Sequence, residues 1–125
     1  MRINSRRKGY VNERVVGRIL ESFGYYMVKS AMSLGYFDLV AISKNSVRLI
    51  QCKPYSDKIS QEEEEFKLIP CPSNVFKEWW SYQRGGLWII RRYDGSGKLV
   101  RVANVYRDRK LKKDVEVVKE NYQVT

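Results

Sequence analysis

The chain has 125 residues, 43% of them apolar and 30% charged, with 24 Lys+Arg against 14 Asp+Glu, a net charge of +10 and no His. Such a length and apolar fraction suit one domain with its own core and exclude a disordered chain; no apolar run nears the roughly 18 residues of a membrane span. Without His, Ser-His-Asp triads, Cys-His pairs and the common zinc sites drop out, leaving carboxylates, Lys, Tyr or a hard metal for any catalysis.

From Tyr10 to Phe23 the apolar residues Val11, Val15, Val16, Ile19, Leu20 and Phe23 recur at helical spacing, and Gly24 is the C-cap candidate. Tyr25 to Val28 reads as a short strand. Tyr36–Ser43 and Ser46–Lys53 are apolar runs rich in strand formers around Lys44-Asn45, which predicts a hairpin. Ser60 caps a predicted helix with Glu62 to Glu65 in its first turn, and Pro70 and Pro72 end it. A second helix is predicted from Ser73 or Asn74 through Phe76, Trp79, Trp80 and Tyr82, closed by Gly85-Gly86. Leu87–Ile90 and Leu99–Val102 flank Asp94-Gly95-Ser96-Gly97 as a second hairpin. From Tyr106 to Thr125 the chain is polar and is expected to be a helical or mobile tail. One α/β domain over residues 1–125 results, with a mixed central β-sheet flanked by helices.

The charge is uneven. Residues 1–18 carry net +5, residues 84–113 net +8, and residues 54–80 net −3. Two basic blocks around an acidic middle point to a polyanion, with nucleic acid ahead of a merely solvated basic surface. Arg6, Arg7 and Lys8 in the first block are candidates for phosphate contact. In the second, Arg91, Arg92, Arg101, Arg107, Arg109, Lys110, Lys112 and Lys113 are candidates, though strand alternation keeps them from one common face. The aromatic segment 76–82 is read as core or dimer interface ahead of base stacking. Trp88 is read as core, Cys71 as structural and Asp94–Gly97 as a plain turn. Cys52 and Cys71 make no disulfide framework, and the N-terminal basic stretch is followed by no apolar segment, so an intracellular, cytoplasmic setting without a signal peptide is expected.

In the predicted hairpin Ser43 pairs with Ser46, a register that sets Asp38 opposite Gln51, with Lys53 one step further along the same face. A carboxylate, an amide and an ammonium at the open end of two apolar strands can form a divalent-metal site. Asp38, the Gln51 amide oxygen and a backbone carbonyl at Cys52 would be its ligands, and Lys53 would orient water or phosphate. The same residues can equally be a sheet-edge Asp38–Lys53 ion pair with Gln51 solvated. Glu13 lies at the border of the apolar stripe of the first helix, where its carboxylate can lean along the sheet, and Gly17 removes a side chain one turn on. It can also be an ordinary exposed first-turn acid.

Lys8-Gly9, Glu13-Arg14, Leu20 and Gly24 resemble the opening of the archaeal Holliday junction resolvases. Phe37-Asp38-Leu39-Val40-Ala41-Ile42 followed by Leu49-Ile50-Gln51-Cys52-Lys53 resembles the central motif of the PD-(D/E)XK nuclease superfamily. The likeness covers residues 8–53 well and the rest in outline. It implies a restriction endonuclease-like fold and a Mg2+- (or Mn2+-) dependent DNA endonuclease. Carried over, the metal-holding and catalytic roles fall on Glu13, Asp38, Gln51 and Lys53, and Ser33 falls where resolvases place a Ser near the scissile phosphate. Phe37 replaces the Pro of the motif, and Gln51 stands where most members have an acid, leaving Asp38 and Glu13 as the anions. Gln-X-Lys variants resemble the Mrr-like endonucleases. The leading expectation is a junction resolvase acting as a homodimer, since two symmetric cuts need two sites. A nuclease without junction selectivity and a non-catalytic DNA-binding module on the same fold are the alternatives.

Overall fold

The structure is a computed structural model that describes residues 5–29 and 37–119, the side chains of 5–11 excepted. The described residues form two helices and seven strands: α1 Ser5–Ser22, β1 Tyr26–Lys29, β2 Leu39–Ile42, β3 Val47–Pro54, α2 Gln61–Lys67, β4 Val75–Gln83, β5 Leu87–Tyr93, β6 Leu99–Asp108 and β7 Lys113–Val118. The strands lie in one sheet in chain order, antiparallel throughout except for the parallel β3–β4 step, which α2 and its loops bridge.

Two apolar clusters grip the sheet. Val16, Ile19 and Leu20 of α1 pack with Leu39, Ala41, Ile50, Trp80, Trp88, Ile90, Ala103 and Val105. Phe66 of α2 packs with Trp79 and Tyr93, joined by Phe37, Ile69 and Leu99. Trp79 and Trp80 are successive residues of one strand, so the pleat places the two clusters on opposite faces. Trp88 belongs to the core as expected. Helix α1 starts at Ser5, earlier than the apolar periodicity alone indicates.

Two expectations are corrected. The predicted second helix over 73–82 is strand β4. Its aromatic and β-branched residues suit an extended chain, and Lys77 through Ser81 are all buried, as in a central strand covered on both faces. The polar residues that obscure this pattern are paired inside. Lys77 Nζ donates to the carbonyls of Lys67 and Ile69, beyond the last turn of α2, and burial pushes its ammonium pKa down. Glu78 accepts from Trp80 Nε1 at 3.0 Å and Arg92 Nε at 2.7 Å, and lies 3.4 Å from Arg48. The aromatic segment is therefore largely core, with Tyr82 against Trp88 at 5.2 Å between ring centroids. The second correction concerns the tail. Strand β6 runs on to Asp108 and β7 returns beside it to Val118, an edge strand whose charges hide its alternation.

Asp94–Gly97 is the turn expected: Asp94 Oδ1 accepts from Ser96 N (2.9 Å), Ser96 Oγ (2.6 Å) and Lys98 N (3.0 Å), which hold its carboxyl below the usual range. Cys71 half-buries its thiol against the Val75 carbonyl, in keeping with a structural role.

An ionic clasp ties the far strand to the middle of the sheet. Glu116 on β7 accepts two bonds from Arg48 on β3, both at 3.1 Å, and lies 3.6 Å from Arg101. Burial works to raise the Glu116 carboxyl, but the bonds and charge of Arg48, with Arg101 and Arg92, outweigh it and hold the pKa below the ordinary 4.5. A lowered folded-state pKa means stabilisation that is present above the unfolded value and lost as pH falls through the folded one. Stability is therefore expected to drop as the pH goes below about 4.5, and Glu116→Gln to flatten that part of the profile. Urea midpoints between neutral and acid pH check this.

Candidate active site

The β2–β3 register is the expected one. Leu39 pairs with Ile50 and Ile42 with Val47, and Ser43 N donates to Ser46 O at 2.9 Å. Asp38 sits one residue before β2, where the chain bends. Its N–H still reaches Ile50 O at 2.7 Å, and its Oδ2 accepts from Cys52 N at 3.0 Å. The carboxylate thus takes a ladder position that a backbone carbonyl fills in a continuing strand. That bond fixes Asp38, which is only 6% exposed.

Glu13, half-buried on α1, comes close enough for the Asp38 charge to act on its carboxyl. Burial raises the Glu13 carboxyl first, the Asp38 charge adds to it, and Lys29 pulls it back in part. Burial likewise raises Asp38, against the Cys52 N–H, the Lys53 charge and the Glu13 carboxyl. Two acids whose carboxyls are both pushed up form a site short of positive charge. Gly17 is buried on the same helix, yet a Cβ built there meets nothing within 4 Å. Its small size is therefore not what admits Glu13. With space available and a helical backbone, Gly17→Ala is expected to stabilise the fold by about 1 kcal/mol, read from thermal unfolding.

The side-chain Oε1 of Gln51 is buried with no hydrogen-bond partner. Lys53 pairs with Glu62 of α2 at 2.8 Å, its side chain about a third exposed. Both facts disfavour the plain reading of a solvated Gln51 and an Asp38–Lys53 ion pair. The Cys52 thiol is pushed well up by burial and by the charges of Asp38 and Glu13, so it stays protonated and chemically quiet. Asp38, Glu13, Lys53 and the Cys52 backbone are thus brought together, and Gln51 lies beside them on β3. No group of three or more His, Cys, Asp or Glu converges among the described residues, so any cation here depends on two carboxylates and neutral oxygens.

Other predicted site residues fall elsewhere. Arg91 is bound to Glu63 through two bonds of 2.7 and 2.5 Å, and Tyr93 Oη donates to the same carboxylate at 2.6 Å. Arg92 is held by Glu78 and stacks over Phe76 at 4.3 Å. Both guanidiniums are spent on internal carboxylates. Arg6, Arg7 and Lys8 lie on the α1 backbone with side chains outside the described residues, and Ser33 lies outside them altogether. Sequence reasoning missed Glu62 and Glu63. The available signal was the Ser60-x-x-Glu63 spacing: Ser60 Oγ accepts from Glu63 N at 3.1 Å, which sets Glu62 toward β3 and Glu63 into the interior.

No curated protein and no solved structure matches the chain. Among the described residues no helix is long and apolar enough to cross a membrane. The family described as archaeal Holliday junction resolvase matches residues 4–121, nearly the whole sequence. The chain therefore belongs to the archaeal Holliday junction resolvase family, and so is a nuclease of the junction-resolving kind.

Proposed function

We propose that this chain is a divalent-metal-dependent endonuclease that cuts four-way DNA junctions as a homodimer. Its sheet is read as the restriction endonuclease-like core, with α1 and α2 on opposite faces. The observation that carries the metal reading is the orphaned, buried Gln51 Oε1 beside two carboxyls that their surroundings both push up. A carbonyl oxygen hidden from water and from every donor is costly unless something positive meets it. Asp38, Glu13, Gln51 Oε1 and the Cys52 carbonyl form an all-oxygen donor set, which suits Mg2+ or Mn2+ and not a soft metal. When bound, such a cation offsets the charge that builds on the phosphate oxygens and makes a water more acidic.

The chain's own residues do the rest. The Cys52 N–H aims Asp38, and Glu13 and Asp38 must both be ionised to hold a cation. Lys53, steadied by Glu62, presents its ammonium to the scissile phosphate and orients the attacking water. One chain carries one such set, so two symmetric cuts call for two copies.

The test is cleavage of a labelled four-way junction beside matched duplex and single strand, with Mg2+ or Mn2+. Paired symmetric nicks in the junction alone are expected. Cutting of linear DNA as well would remove junction selectivity. Tight binding without cutting under either metal would overturn the enzymatic reading and make Gln51 the mark of a binding module.

A further inference from the structure

The β6–β7 hairpin carries a density of charge that the nuclease site does not use. Arg107, Arg109, Lys110, Lys112 and Lys113 crowd its tip, and all five are exposed. The two acids among and beside them are spent internally. Asp108 Oδ1 accepts from the backbone N–H of Lys110 and of Leu111, both at 2.9 Å, and Asp114 lies 3.8 Å from Arg107. The two acids offset part of this charge, yet the tip stays net positive, and the like charges of Arg109, Lys110, Lys112 and Lys113 repel one another on so short a ribbon. The turn is nonetheless well defined: the register continues through Asp108 and Lys113, and Asp108 fastens the corner.

Lys112 sharpens the point. It holds φ at 54°, the left-handed region that glycine enters freely and that costs other side chains energy. The ribbon keeps a cation where its own turn favours glycine. Lys112 thus adds its charge to the tip at a position where glycine would relieve the backbone.

The ribbon also has a defined place. Lys113 to Glu116 share the wall of a cavity of about 490 Å³ with Arg48 and with Ser22, Phe23 and Tyr25, at the C-terminal end of α1. Glu13 lies nine residues earlier on that helix, about 13 Å away at 1.5 Å per residue. The base of the ribbon therefore lies beside the C-terminal end of α1, away from Glu13 along that helix.

We propose that the β6–β7 ribbon is a second phosphate-binding element, which grips the backbone of a duplex arm away from the cleaved bond. This rests on the junction-DNA reading above. Its ligand is the continuous phosphate backbone of double-stranded DNA, and its contribution is affinity without sequence preference. A ribbon whose register is paired and whose corner Asp108 fastens meets that backbone with little reorganisation.

Binding of a labelled junction is measured by anisotropy across a salt series in EDTA, where cleavage cannot occur. Arg109→Gln/Lys110→Gln is expected to weaken binding and to reduce the slope of log K against log salt by about 2, one for each phosphate left without its cation. Lys44→Gln/Lys98→Gln removes the same charge from exposed sites elsewhere and is expected to leave the slope near wild type. Lys112→Gly is expected to raise the melting temperature and still lower junction affinity, a combination that no purely structural role produces. An unchanged slope in the ribbon variant, or equal losses in the two double variants, would overturn the proposal. So would weakened binding of RNA or of an acidic protein with DNA binding intact. A wild-type chain that binds junctions but never cuts them would sink the nuclease reading alone, because the salt series is read without metal.

Discussion

Asp38→Ala is expected to lower junction cleavage by more than about 100-fold, since even groups that merely support a metal ligand are worth about 10–100-fold. Junction affinity in metal-free buffer should hold or rise, because a negative charge near the phosphates is gone. Alanine also strips the Cys52 N–H of its acceptor, so about 1–3 kcal/mol of stability goes with it. Asp38→Asn separates the two effects. Its amide oxygen can still accept from Cys52 and its nitrogen can face Glu13, so the fold is kept while the charge is lost. Cleavage as low in Asn as in Ala, with a near-normal melting temperature, assigns the loss to the anion. Full activity in the Asn variant would remove Asp38 from the chemistry.

The largest effect on stability is expected at Glu78, which is wholly buried between Arg48 and Arg92. Glu78→Gln keeps the volume and an oxygen for Trp80 Nε1, but leaves the largely buried Arg92 without its counter-charge. Breaking a buried pair from one side costs about 3–5 kcal/mol, where surface pairs are worth about 0–1. Arg48 keeps Glu116 and is cushioned by it. A urea midpoint measures the loss. Replacing Glu78 and Arg92 together by apolar residues of similar size should recover much of it, since the penalty lies in the unpaired charge and not in the absent bond. A loss under about 1 kcal/mol in the single variant would show that water reaches Arg92 after all.

These two sites also divide what the sequence discloses from what it hides. Helix α1 and the β2–β3 register follow from patterns local to the chain, whereas the helix pattern alone leaves Glu13 an ordinary exposed acid and only the family likeness turns it toward Asp38. A helix with one apolar stripe and a hairpin with one turn allow few alternatives. Strand β4 was not legible. Phe76, Trp79 and Trp80 fit a helical period as well as a strand, and Lys77 and Glu78 look solvated until their partners are known. Those partners lie on α2, β3 and β5. Arg91 and Arg92 teach the same lesson in reverse. Charge alone cannot tell a phosphate-facing cation from one bound to a carboxylate 28 or 14 residues away. Strand β7 was hidden by edge-strand charges that protect it from pairing with other chains. The orphaned Gln51 oxygen could be suspected from the motif, but its burial depends on packing that no local pattern encodes.

The strand order has a consequence for how such a protein diversifies. Every neighbouring pair in the sheet is also adjacent in sequence, and β3–β4 is the only parallel step among the described strands. Its connection, residues 55–74, leaves the sheet directly after Lys53 and carries Glu62 back against it. Lengthening a closed loop costs only about 0.6 kcal/mol per doubling. Insertions are therefore cheap in the segment that adjoins the proposed site, and the meander from β4 to β7 need not readjust. Descendants of this chain can acquire new substrate preferences by growing that connection while inheriting the sheet intact.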